Sequence, residues 1–114
     1  MCTDKVCFVY TSGTTGLPKA CQLRHVRYFS MQATITLCTD ISSDDVVYCT
    51  LPLYHTNGGI LSTGQMLCTG ATLVIRKKFS ASNFWLDCIK YKCTVSYVAI
   101  CIEIRVSFPF SLSL

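Results

Sequence analysis

The segment Tyr10–Lys19 reads Tyr-Thr-Ser-Gly-Thr-Thr-Gly-Leu-Pro-Lys. From Thr11 through Ser12, Gly13, Thr14 and Thr15 to Gly16, small side chains, or none, let the backbone curl tightly. Successive N–H groups can then face one concavity and form an anion nest. The hydroxyls of Thr11, Ser12, Thr14 and Thr15 add donors, Lys19 adds a mobile positive charge suited to phosphate, and Pro18 stiffens the exit. The chemistry these residues suit is phosphate binding. The string is not a Walker A loop, G-x-x-x-x-G-K-[ST]. Two residues separate Gly16 from Lys19, and Ala20 stands where Ser or Thr would hold magnesium. It is not the dinucleotide pattern G-x-G-x-x-G either.

A second segment, Leu51–Gly59, places the aromatic–histidine pair Tyr54 and His55 just ahead of Asn57, Gly58 and Gly59. The other histidine, His25, has no such context and reads as a helix-start residue. There are nine cysteines, an odd number, and no pair has C-x-x-C spacing. With only two histidines, a zinc site and a secreted disulfide scaffold both lack support, and no metal ligand set is assigned. Most of the thiols sit in apolar runs, such as Val6-Cys7-Phe8 and Val47-Tyr48-Cys49. They read as reduced, small core hydrophobes, which implies the reducing, intracellular side of a membrane.

The elements that must position these segments follow a regular order. Lys5–Thr11 reads as a buried strand that delivers the first loop at its carboxyl end, where α/β proteins bind ligands. Ala20–Leu23 reads as a short return strand. From His25 to Cys38, the spacing of Val26, Phe29, Ala33 and Leu37 predicts an amphipathic helix. Val46–Leu51 is a second strand, stopped by Pro52, and Tyr54–Gly59 is a loop. Ile60–Cys68 is a helix ended by Gly70. Ala71–Ile75 is a third strand. A helix capped by Ser80 or Ser82 presents Phe84, Trp85, Cys88 and Ile89 on one face, and Thr94–Ile100 is a fourth strand. Such alternation predicts an α/β fold with a mainly parallel sheet and flanking helices, its strands reading as continuous apolar runs.

Composition sets the boundaries. The 114 residues allow one domain. Apolar residues make up 51%, but charged ones only 14%, against roughly 25% in ordinary soluble proteins. Mean hydropathy is +0.43. So few charges cover a small domain's surface poorly, which points to an interior slice of a larger domain or a membrane-associated piece. Disorder and collagen-like repeats are excluded. The best candidate span, Thr94–Leu114, is interrupted by Glu103 and Arg105, and no signal peptide or other anchor is read. A net charge of +4 with one cluster, Arg76-Lys77-Lys78, is too little for a nucleic-acid surface.

The string Tyr10–Lys19 closely resembles the phosphate-binding signature of the adenylate-forming enzymes, the AMP-dependent synthetases and ligases. Leu51–Gly59 resembles that family's second core segment, which borders the acyl and adenylate pocket. Val74–Trp85, with Asp87–Tyr91 and Ala20, is similar to the very-long-chain acyl-CoA synthetases, also called fatty acid transport proteins. The resemblance implies a partial adenylate-forming N-terminal domain over residues 1–99, with a divergent tail at 100–114. It implies the fatty acid–CoA ligase reaction, with ATP, Mg2+ and CoA: an acyl-adenylate forms first and acyl-CoA second. Thr11, Ser12, Gly13, Thr14, Thr15 and Gly16 would wrap the β- and γ-phosphates and Lys19 would neutralise them. Tyr54 and His55 would border the acyl carboxylate, and Asn57, Gly58 and Gly59 would shape the wall. The adenine-binding segment, the ribose-contacting aspartate, the magnesium-binding glutamate and the C-terminal lysine of the family have no match in this chain, so no turnover is expected from it alone. Membrane association, at the endoplasmic reticulum or plasma membrane, is implied by the subfamily only. Two other readings stand beside this one: a non-catalytic module binding nucleotide phosphates or a partner, and a chain that associates with itself through uncovered apolar surface instead of folding stably alone.

Overall fold

A computed structural model describes residues 3–11, 17–99 and 102–105. Ser12, Gly13, Thr14, Thr15 and Gly16 of the expected phosphate loop lie outside the described residues, as do Cys2, Cys101, Ile100 and residues 106–114. Among the described residues there are two sheets. Strands β1 (Lys5–Thr11) and β2 (Lys19–Arg24) form an antiparallel hairpin, with Val9 opposite Cys21 and Thr11 opposite Lys19. Helix α1 (His25–Thr39) follows at once, and its first N–H bonds back to the carbonyl of Asp4 at 3.0 Å.

The second sheet has the order β4-β3-β5-β6. Strand β3 (Val46–Cys49) is central and runs parallel to β4 (Thr72–Ile75) and to β5 (Val95–Ala99). Strand β6 (Ile102–Arg105) adds an antiparallel edge that the sequence reading did not contain. Between β3 and β4 lie a π-helical turn (Thr56–Ser62) and helix α2 (Thr63–Thr69). Helix α2 ends on Gly70, whose φ of 80° favours glycine. Helix α3 (Ala81–Tyr91) connects β4 to β5. The architecture is α/β with a parallel three-strand core.

Alternation along the strands divides the core. Val47, Val95 and Tyr97 pack on one face with Ile41, Ala71, Leu51 and Leu73. Tyr48, with Val46 and Val74, faces the opposite way onto Phe84, Cys88 and Cys93 from α3 and the loop after it. A third cluster, Val9, Leu23 and Ile60 with Cys7, Tyr28 and Met31, joins the hairpin to α1 and the π turn.

Three expectations are corrected. Strand β1 is not a buried strand of the parallel sheet: only Val9 is buried, because one face of a two-stranded hairpin meets the rest of the molecule and the other meets water. Its last residue, Thr11, pairs antiparallel with Lys19, so β1 does not end as a strand of the parallel sheet does. The α1 helix forms as expected, but Val26, Phe29 and Leu37 are 55%, 56% and 86% exposed, while Gln32 is its buried residue. On α3, Phe84 and Cys88 are buried, whereas Trp85 and Ile89 face outward. The thiols also divide. Cys49, Cys88 and Cys93 are buried, Cys7 is half-buried, and Cys21, Cys38 and Cys68 are exposed, all of them free.

Candidate functional site

The hairpin closes the base of the first motif. Thr11 and Lys19 are the last antiparallel pair, so their side chains share a face, and the Thr11 hydroxyl donates to the Lys19 carbonyl at 3.4 Å. Both residues are exposed. The strand pairing thus brings the first threonine and the lysine of the candidate phosphate motif side by side.

The second motif starts where β3 ends. Pro52 stops the strand, and its carbonyl accepts the His55 N–H at 3.0 Å, turning the chain back. His55 is extended (φ −97°, ψ 152°) and caps the π turn: its Nδ1 accepts from the Asn57 N–H at 3.4 Å, and its carbonyl accepts from the Gly59 N–H at 2.8 Å. A neutral imidazole that accepts at Nδ1 carries its hydrogen on Nε2, so the outer nitrogen is a donor. Gly58 and Gly59 permit close approach, since a Cβ at Gly58 would collide with the carbonyl of Pro52 and one at Gly59 with the carbonyl of Leu53. Side chains at these positions would push the Leu51–Leu53 backbone off the π turn.

The two segments meet in a cavity of about 400 Å³. Its walls come from Cys7, Phe8, Val9 and Tyr10 of β1 and from Leu53, Tyr54, His55, Gly59 and Ile60. The size falls within the range of small-molecule sites, and the lining is aromatic and apolar with one imidazole, suited to an acyl or aryl group. Tyr54, His55 and Gly59 reach this cavity, whereas Asn57 and Gly58 are buried behind it. Sequence reading assigned the cavity no residue of β1 ahead of the motif, because nothing in a continuous apolar run marks which side chains line a hollow. Among the described residues no group of His, Cys, Asp and Glu could hold a metal ion.

Residues 3–100 match the family model described as AMP-binding enzyme. The chain belongs to the AMP-binding enzyme family. It is 54% identical over 92 residues to human long-chain fatty acid transport protein 1, a match covering 81% of this chain and 14% of that protein. It is 46% identical over 92 residues to mouse long-chain fatty acid transport protein 3, again 81% of this chain and 14% of the relative. The chain thus spans about a seventh of the length of these relatives. Among solved structures, it resembles o-succinylbenzoate CoA synthetase from Bacillus subtilis in complex with the acyl-adenylate intermediate OSB-AMP (TM-score 0.77, 26% identity, 84% of this chain and 25% of that one). It also resembles ATP-bound MatB from Rhodopseudomonas palustris (TM-score 0.75, 30% identity, 84% of this chain and 19% of that one). Another structure of the B. subtilis synthetase holds ATP and a magnesium ion. The α/β fold read from the sequence is that of the N-terminal part of adenylate-forming enzymes. Among the described residues, no helix is long and apolar enough to cross a membrane.

Proposed function

We propose that this chain is a segment of a long- or very-long-chain fatty acid–CoA ligase, carrying the ATP phosphate loop and one wall of the acyl/adenylate pocket. The observation that carries the reading is the shared cavity: Tyr10, at the foot of the phosphate motif, and His55 and Gly59, of the second motif, line one hollow. In the ligase reaction a fatty acid carboxylate attacks the α-phosphorus of ATP, pyrophosphate leaves, and the thiol of CoA then displaces AMP from the acyl-adenylate. Charge builds on the departing pyrophosphate, and preorganised donors there lower the barrier. Thr11, Ser12, Gly13, Thr14, Thr15 and Gly16 would supply those donors and Lys19 the compensating charge. Tyr54 and the Nε2 donor of His55 would border the carboxylate. Asn57 and Gly58, buried behind Gly59, would hold the wall in place.

Residues 1–99 are read as the partial adenylation domain and 100–114 as a divergent tail. The chain matches about a seventh of its relatives, so the reaction, CoA as co-substrate, magnesium and membrane association belong to the longer proteins in this reading. This chain binds nucleotide phosphates without turnover. Titration calorimetry with ATP tests it. The wild-type chain is expected to bind, and Lys19→Ala to weaken binding about tenfold, the worth of one charge-assisted contact. Binding weaker than millimolar and insensitive to Lys19→Ala would overturn the phosphate-loop assignment. Acyl-CoA formation by the 114-residue chain, abolished by Lys19→Ala, would overturn the absence of turnover.

A further inference from the structure

The π turn is held by two hydroxyls at its own end and by one side chain far from it in sequence. Three of its carbonyls receive an extra donor. The Ser62 hydroxyl donates to the Asn57 carbonyl at 3.0 Å, the Thr63 hydroxyl to the Gly59 carbonyl, and Gln32 Nε2, from α1, to the Ile60 carbonyl at 2.9 Å. The π register is visible at Thr63, whose N–H is shared between the carbonyl of Gly58, five residues back, and that of Ile60, three back. Such turns are rare and occur mostly as single turns, frequently at functional sites. In the competing α register the Thr63 N–H would move to the Gly59 carbonyl, four residues back. One residue fewer in the turn would rotate everything before it by roughly 100°, carrying His55 and Gly59 away from Tyr10.

Gln32 and Gln65 are both buried, at 1% and 0% exposure, and their amides satisfy one another. Gln65 Nε2 donates to Gln32 Oε1 at 2.9 Å and to the Gln32 carbonyl at 3.3 Å, and Gln65 Oε1 accepts from the Thr36 hydroxyl at 2.9 Å. Each side-chain oxygen therefore accepts and each side-chain nitrogen donates. Gly64 lies against the Gln32 side chain, where a Cβ would collide with it. A fully satisfied buried network of this kind is rigid, and a gap in it leaves an uncompensated polar group in the interior.

We propose that Gln32 and Gln65 are positioning residues of the candidate site: their paired amides hold Thr56–Ser62 in the π register, and this register sets His55 and Gly59 against Tyr10 across the cavity. The proposal deepens the reading of that cavity as a pocket wall and rests on it. Gln32 reaches the site through the Ile60 carbonyl and does not itself line the cavity.

Scalar couplings across hydrogen bonds, measured by NMR on the labelled 114-residue chain, test it. In the wild type, the Thr63 amide should couple to the Gly58 carbonyl and the Gln32 side-chain amide to the Ile60 carbonyl. In Gln32→Met, which keeps the length and removes the donor, the Thr63 coupling should shift to Gly59. The amide resonances of His55, Gly59 and Tyr10 should move while those of Tyr48 and Ser96 stay. A lower melting temperature with the Thr63–Gly58 coupling retained would overturn the proposal, since a merely structural role predicts that result. The wild type also decides by itself if Gln32→Met does not fold. On warming, the Gln32 side-chain amide and the Thr63 amide should lose exchange protection together, and separate loss would overturn the proposal. Failure of the pocket reading shows up elsewhere, as absent ATP binding in a wild-type chain whose π register is intact.

Discussion

The phenol of Tyr48, on the central strand, donates to Asp87 Oδ2 of α3 at 2.7 Å. Arg76, just past the end of β4, binds the same carboxylate oxygen. One acceptor thus ties two neighbouring strands to the helix that covers them, and the Tyr48 ring also meets Phe84 edge-on with centroids 5.5 Å apart. Tyr48→Phe keeps the ring and removes the bond. It is expected to lower unfolding free energy by about 1–2 kcal/mol in urea titration. With Asp87→Ala in a double-mutant cycle, the two losses should be non-additive, because both substitutions remove the Tyr48–Asp87 bond.

The same cluster sets an alkaline limit. Burial, and then the bond to Asp87, push the Tyr48 phenol from its ordinary 10.0 up to about 12. Burial, and then the neighbouring Cys88, push the Cys93 thiol from 9.0 up to about 12. Between the unfolded and folded values the folded chain holds protons that the unfolded chain has lost, so stability falls with rising pH. The Tyr48 contribution is complete below pH 10.0 and is lost towards about 12; that of Cys93 is complete below 9.0 and is lost over the interval up to about 12. Asp87 runs the other way. The Tyr48 hydrogen bond, assisted by Arg76, lowers its carboxyl below 3.8, so its contribution is present above 3.8 and lost as pH falls through the folded value. Urea midpoints across the alkaline range should decline, and Tyr48→Phe and Cys93→Ala should each flatten the decline.

Gly59→Ala sets a new methyl group against the Leu53 carbonyl. Neither partner is the end of a flexible side chain, so backbone must shift. A loss of about 1–3 kcal/mol is expected, the usual cost of overpacking. The amides of His55 and Tyr10, which line the cavity with Gly59, should move, whereas those of β5 should not. An unchanged urea midpoint would contradict the close approach.

Ile60 links the π turn to the hairpin through Val9 and Leu23. Ile60→Ala should cost about 2–5 kcal/mol. Its effect should be local: amide exchange should speed up in β1 and β2 before it does in β3 and β5. ATP binding should weaken as well, because the base of the phosphate loop is then less firmly held. Equal acceleration across both sheets would argue against the hairpin as a separately anchored unit.

The exposed stripe of Val26, Phe29 and Leu37 on α1 should act in association and not in stability. The double substitution of Phe29→Glu and Leu37→Lys is expected to leave the unfolding free energy within about 0.5 kcal/mol. Sedimentation velocity should show less self-association than in the wild type. Equal association of the two would remove this stripe as the contact.

Most of the element order was legible because it rests on local signals. Pro52 stops β3, Gly70 accepts the left-handed turn that ends α2, and β-branched runs mark β3, β4 and β5. The string Tyr10–Lys19 stands out in the sequence because its small, hydroxylated and cationic residues together suit one chemistry, the phosphate binding proposed for it. The buried face of α1 was not. Periodicity shows that a helix has an apolar stripe, but burial needs a partner, and among the described residues Val26, Phe29 and Leu37 stay exposed. The burial of Gln32 leaves no mark in the sequence, because the Gln65 amide that pairs with it is distant in the chain.

The sequence by itself determined that this is a strand–helix alternation bearing a candidate phosphate motif and an aromatic–histidine segment, since propensity, capping and small-residue loops act over a few residues. Only the tertiary structure decided that β1 and its return strand β2 form a sheet separate from the parallel one, that Tyr10 and His55 share one cavity, and that Thr56–Ser62 winds in the π register. Each of these depends on contacts between residues far apart in the chain, where hydrogen-bond satisfaction and close packing, not local preference, select among conformations of similar energy.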